Sequence, residues 1–110
     1  MEIKIRKEEN ALIVSVAGRM DAVSAPEFGK ICEEWIAKDE NTLIIDFVDL
    51  DYLSSSGLRS LLVIGKKLKT KNGSIYLAAL KNDIKEVFEI SGFDSIFPIF
   101  ESVDTALAQI

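Results

Sequence analysis

The 110-residue chain contains no histidine and only one cysteine, Cys32. Without histidine it lacks the commonest general base and the commonest transition-metal ligand. A Ser-His-Asp or Cys-His nucleophile cannot be assembled within the chain. Zinc sites built from several Cys or His residues are excluded as well. A lone cysteine makes no internal disulfide, so an oxidising compartment has no support. No apolar run approaches the roughly 18 residues that span a bilayer. The start, Met1-Glu2-Ile3-Lys4-Ile5, lacks the layout of a secretory signal. Positive charge is also scarce: 13 Lys and Arg face 18 Asp and Glu, a net charge of -5. Nucleic-acid affinity rests on neutralising phosphates, so no nucleic-acid partner is expected. There is no glycine-rich phosphate loop and no metal-ligand constellation, so no cofactor is expected and an enzyme is disfavoured. The expectation is a cytoplasmic protein with no membrane partner, monomeric by default, folded as one domain over residues 1–110.

With 48% hydrophobic and 28% charged residues, the chain has the composition of a globular domain. Ile3 and Ile5 alternate with charged neighbours, and Leu12, Val14 and Val16 alternate again. The polar stretch Lys7-Glu8-Glu9-Asn10 makes the two an antiparallel hairpin, which Gly18 ends. Ser24-Ala25-Pro26-Glu27 has capping-box spacing, with proline in the first turn. Phe28, Ile31, Cys32, Trp35 and Ile36 then form one helical stripe, in which Cys32 and Trp35 are expected to be core residues. Leu43-Ile44-Ile45 is an unbroken apolar run, as in an interior parallel strand. Leu58, Leu61, Leu62, Gly65 and Leu68 mark a second helix, with Lys66, Lys67, Lys69 and Lys71 near its C-terminal dipole. Asn72-Gly73 predicts a turn, and Ile75, Leu77 and Ala79 a strand. Asn82 is placed to cap a third helix carrying Ile84, Val87 and Phe88, stopped by Gly92. Ile96 to Phe100 reads as an edge strand, because Pro98 has no N–H for a ladder. Ser102 caps a last helix with Val103, Leu107 and Ile110.

The expected fold class is α/β. It is an open mixed sheet of four to five strands, with an N-terminal antiparallel hairpin and about four helices, mostly on one face.

Between the interior strand and the second helix lies Asp46-Phe47-Val48-Asp49-Leu50-Asp51-Tyr52-Leu53-Ser54-Ser55-Ser56-Gly57-Leu58-Arg59. Serines ahead of a periodic apolar segment are helix-capping material. The same geometry presents hydroxyls at the positive end of a helix dipole, where phosphate is favoured. The residues alone leave open a plain cap or a site of phosphate chemistry.

Three segments resemble the STAS domain family, and within it the bacterial anti-sigma factor antagonists. They are Gly18-Arg19-Met20-Asp21 with the helix after Ser24, Leu43 to Leu58 with its serine turn, and Lys81-Asn82-Asp83-Ile84 to Ser91-Gly92-Phe93. The resemblance implies a STAS-like fold and partner switching. The unphosphorylated protein would bind an anti-sigma factor that is also a GHKL-type serine kinase, and so regulate sigma-factor-dependent transcription. Phosphorylation would release it, and a PP2C-type phosphatase would reverse the change. In phosphorylated members the turn reads Asp-Ser-(Ser/Thr)-Gly, which places the phosphate on Ser55. Ser54 stands where those members carry aspartate. Asp21 matches an aspartate that lies near the phosphorylated serine. Asp21, Ser54, Ser55, Ser56, Gly57 and Arg59 are the partner-binding residues this implies, with Asp49 and Asp51 expected to crowd the same end. Gly57, without a Cβ, would let a partner's backbone approach closely. The alternative is a STAS scaffold or ligand-sensing module without a phosphoswitch, in another signalling or lipid-transport assembly.

Overall fold

The second strand is the spine of the domain. In the computed structural model, which describes residues 1–8 and 10–110, this strand (β2, Leu12–Met20) pairs with neighbours on both sides. On one side β1 (Glu2–Lys7) runs antiparallel to it, with Ile3 opposite Val16 and Ile5 opposite Val14. This is the expected hairpin, though Glu9 in its connection lies outside the described residues. On the other side β3 (Thr42–Asp46) runs parallel, followed outward by β5 (Ser74–Ala78) and β6 (Ile99–Phe100). The order is β1-β2-β3-β5-β6, a mixed sheet with β6 at one edge, where Pro98 is tolerated.

Each parallel step moves the same way across the sheet. Right-handed crossovers therefore put α1 (Ala25–Ala37), α2 (Ser55–Thr70) and α3 (Asn82–Ser91) on one face. Alternation along the strands supplies that face with Leu12, Val14, Leu43, Ile45, Ile75 and Leu77. Phe28, Cys32 and Ile36 of α1, Leu61, Ile64 and Leu68 of α2, and Ile84 and Phe88 of α3 pack onto them. Cys32 and Trp35 thus belong to the core stripe, with Cys32 buried and Trp35 half-buried. The intervening positions, Ile13, Ile44 and Ala78, point to the opposite face. There α4 (Val103–Gln109) covers them through Ala106, joined by Val103, Leu107 and Ile110. Ser102 caps α4, its Oγ accepting the Thr105 N–H at 3.0 Å.

Four local expectations change. Leu50–Leu53, where no strand is expected, is a short strand, β4, parallel to β2. It takes up β2 just beyond the point where β3 leaves it: Ser15 pairs with Asp46, and Gly18 with Leu50. Consequently β2 does not end at Gly18 but continues to Met20, with a register shift between Gly18 and Arg19. The strand expected over Ile96–Phe100 keeps only its last two residues. Phe93–Ser95 is a 3-10 turn, and Ile96 is still helical at φ -93° and ψ -40°. Asn82 is the first helical residue of α3 rather than its cap, a position held by Lys81, whose side chain makes no cap bond.

Candidate functional site

The serine turn is built from the ends of two parallel strands. β2 ends at Met20 and β4 at Leu53, which are register partners. The Ser54 N–H donates to the Met20 carbonyl at 2.9 Å, so both chains leave the sheet at the same end. One enters α1 through Asp21-Ala22-Val23-Ser24, and the other enters α2 directly.

Ser54 is the N-cap of α2, with an extended backbone at φ -85° and ψ 171°. Its Oγ accepts the Gly57 N–H at 3.2 Å, and its carbonyl accepts the Leu58 N–H at 3.0 Å. The N–H groups of Ser55 and Ser56 have no partner among the described residues. Ser55 is exposed, and Ser56 is half-buried. The first turn of α2 contains no acidic residue. The positive end of this helix is therefore not neutralised by its own sequence, and Ser55 presents a hydroxyl there. Arg59 is exposed one turn later, at the i+4 spacing that shares a helix face with Ser55.

Asp21 organises the neighbouring loop. Its Oδ1 accepts the N–H groups of Val23 and Ser24, both at 3.0 Å. The Ser24 Oγ accepts the Asp21 N–H at 2.9 Å and lies 2.8 Å from the Arg19 carbonyl, to which it donates. The Ser24 N–H bond to the carboxylate, more than the nearby Arg19 charge, holds the Asp21 carboxyl below its ordinary pKa. The capping box expected at Ser24 is replaced by this arrangement, because the Ser24 side chain points back into the loop and makes no cap bond to α1.

Gly57 is buried, which corrects its expected role as an approach point for a partner's backbone. A Cβ there would fall 2.5 Å from Leu53 Cδ1 and 3.0 Å from Met20 Sδ. The missing side chain lets the start of α2 settle onto the strand ends. Nor do Asp49 and Asp51 crowd Ser55. Both precede the end of β4, and a strand advances about 3.3 Å per residue. The Asp49 carbonyl accepts the Gly18 N–H, while the Asp51 carboxylate pairs with Lys81. Asp21 is the acid on the loop beside the turn.

Between the starts of α1 and α2 runs a groove of about 390 Å³. Ala25 and Gly29 form one wall, Ser56 and Ser60 the other, and Lys30 and Arg59 stand on it. The Ser60 Oγ donates to the Ala25 carbonyl at 3.4 Å, holding the two helices together. Ser56 and Arg59 thus share the groove, Ser55 stands outside it, and Ser54 and Gly57 serve the turn itself. Two features escaped the sequence reading. Val23 is 89% exposed beside this groove, and Arg19 stacks on the Tyr52 ring at 4.2 Å. A single valine in a loop carries no sequence signal. The stack becomes visible only once β2 and β4 are paired. Among the described residues, no group of three or more Cys, Asp or Glu is placed to hold a metal ion.

The family model described as "STAS domain" matches residues 2–106. BtrV of Bordetella bronchiseptica, named as an anti-sigma factor antagonist, is 36% identical over 108 residues, which is 98% of this chain and 93% of BtrV. The anti-sigma-B factor antagonist of Listeria monocytogenes is 30% identical over 99 residues, covering 90% of this chain and 86% of that protein. The crystal structure of an anti-sigma factor antagonist from Mycobacterium paratuberculosis superposes with a TM-score of 0.91 at 26% identity, over 99% of this chain and 92% of that one.

Proposed function

We propose that this chain, which belongs to the STAS domain family, is an anti-sigma factor antagonist gated by phosphorylation of Ser55. In its unphosphorylated form it binds a cytoplasmic anti-sigma factor of the GHKL-kinase type and so frees a sigma factor. The chain is a binding partner and a kinase substrate, not an enzyme.

The observation that carries this reading is the environment of Ser55. Its hydroxyl is exposed at the first position of a helix whose opening turn holds no acid. The kinase transfers the γ-phosphoryl group of ATP to Ser55 Oγ. A P–O bond to Oγ forms, the bond to ADP breaks, and the hydroxyl proton leaves. The new group carries about -1.5 to -2 charges and three acceptor oxygens. The free N–H groups of Ser55 and Ser56, and the Arg59 guanidinium at i+4 on the same helix, are donors available to it. The helix dipole favours it by roughly 0.3–1 kcal/mol. The core has no reason to move, because Ser55 contributes nothing to it.

A docked partner meets a different surface. Over a neutral Ser55 it covers a hydroxyl, the groove and the exposed Val23. Over phosphoserine it must desolvate a dianion next to the Asp21 carboxylate. Like-charge juxtaposition and an unpaired buried charge cost several kcal/mol at an interface. The switch therefore acts by vetoing contact, with no change of fold. A PP2C-type phosphatase restores the hydroxyl.

Incubation with the cognate kinase and ATP, followed by phosphate-resolving electrophoresis, tests the assignment. Wild-type protein shifts to one slower band and Ser55→Ala does not. A persistent band in Ser55→Ala contradicts the site, and no band in wild type contradicts the switch.

A further inference from the structure

A second groove, of about 400 Å³, lies toward the far end of α2 from Ser55. That volume is within the roughly 300–1,000 Å³ usual for binding clefts. Leu62 and Gly65 of α2 form one side, Ile75 the floor, and Phe97 and Pro98 the other side. Lys66 and Lys69 stand on its rim, both exposed. Neither is in an ion pair among the described residues, and the lining contains no carboxylate. In a chain of net charge -5, this is a locally cationic apolar cleft.

The floor also carries unpaired backbone. Along β5 the bonds alternate: the Ser74 N–H and the Ala78 carbonyl serve the β3 side, to Asn41 and Phe47. The Leu77 and Ala79 N–H groups serve the β6 side, to the carbonyls of Pro98 and Phe100. Ile75, two residues before Leu77, therefore directs its N–H and carbonyl into the β6 lane. There β6 has not begun, since its register starts at Leu77 opposite Ile99. Pro98 has no N–H to offer the Ile75 carbonyl, and Ile96 has turned away into helical backbone. Both Ile75 groups lack a partner among the described residues. Gly65 keeps the space above them open: a Cβ there would touch Ile75 Cγ2 and Phe97 Cε1, each at 3.6 Å.

We propose that this groove receives an extended acidic segment of a partner protein, pairing its backbone with Ile75 and its carboxylates with Lys66 and Lys69. An open strand edge beside an apolar pocket is the geometry of strand addition, in which backbone bonds give affinity and alternate side chains give specificity. Alternate residues of the segment enter over Leu62, Gly65 and Phe97, and the others reach the lysines. The site is independent of Ser55 and would act as a second contact for a partner of this chain.

The test titrates the isotopically labelled full chain with a peptide of about six residues alternating valine and aspartate, an ordinary strand length. The amides of Gly65, Ile75 and Ile96 shift saturably, and the Ile75 N–H gains protection from hydrogen exchange. Lys66→Glu with Lys69→Glu weakens the interaction by about tenfold, the effect of losing a principal charge contact. Because both lysines are exposed, that variant keeps the test valid should Gly65→Leu, which fills the groove, fail to fold. Ser55→Asp leaves the affinity unchanged. No shift at Ile75 overturns the proposal, as does equal binding of an alternating valine–lysine peptide. So does decanoate shifting these amides where the peptide does not, which would make the cleft a lipid site. Shifts that follow protein concentration alone would assign it to a second copy of the chain and overturn it equally.

Discussion

The Met20 carbonyl accepts the Ser54 N–H at 2.9 Å, fastening the cap of α2 to the end of the neighbouring strand. This bond separates two serines that are adjacent in sequence. Ser54 is tied inward as a structural cap, and Ser55 is left outward with a free hydroxyl. Stability and the proposed phosphorylation therefore fall on different residues of one turn.

Ser54→Ala removes the acceptor for the Gly57 N–H. Loss of such a cap costs about 1 kcal/mol. Urea denaturation is expected to show that loss in Ser54→Ala and almost none in Ser55→Ala, whose side chain is exposed. Equal losses in the two would contradict the division of roles.

Gly57→Ala places a methyl group into Leu53 and Met20. Both neighbours present flexible side-chain ends, and overpacking of this kind costs about 1–3 kcal/mol. The gain in helix propensity of roughly 1 kcal/mol offsets part of it. The expected outcome is a net loss by chemical denaturation, with Leu53 and Met20 methyl resonances displaced. A more stable protein with unmoved resonances would show that the turn has room it is not expected to have.

The Asp21 carboxyl titrates below its ordinary value of 3.8, because Ser24 donates to its charged form. A lowered folded-state pKa contributes stability that is present above the unfolded value and lost as pH falls through the folded one. The Asp21 contribution is thus intact at neutral pH and disappears only at pH below about 4. Asp21→Asn should flatten the acid limb of the stability curve, and carbon-detected titration should place the Asp21 midpoint under 3.8. A midpoint above that value would mean the loop bonds do not form in solution.

Burial pushes the Cys32 thiol up to about 12. The thiolate is the reactive form, so the native protein should resist a disulfide reagent at pH 8 and react only on unfolding. Prompt labelling of folded protein would contradict the packing of α1 on the sheet.

Much of this fold was legible in the chain because burial imposes simple periods. Leu43-Ile44-Ile45 sits inside a sheet covered on both faces, so it reads as unbroken apolar sequence. Phe28, Cys32 and Ile36 face one core and read as a helix. β4 was hidden because Asp51 and Tyr52 are both exposed, leaving only Leu50 and Leu53 to face inward, a spacing that signals no strand. At the site, the N-cap was readable from local chemistry. The inward turn of Gly57, the removal of Asp51 to Lys81 and the Arg19–Tyr52 stack were not. Each depends on which segment lies alongside in space.

The most direct measurement is calorimetric binding of the purified cognate anti-sigma factor to wild-type protein and to Ser55→Asp, with circular dichroism recorded on both. Unchanged spectra are expected, with an affinity loss of about 100-fold or more, roughly 2.7 kcal/mol, consistent with the cost of a repelled charge at an interface. Equal affinity in the two proteins, or a lost affinity accompanied by a lost fold, would contradict a switch that works by surface charge at Ser55.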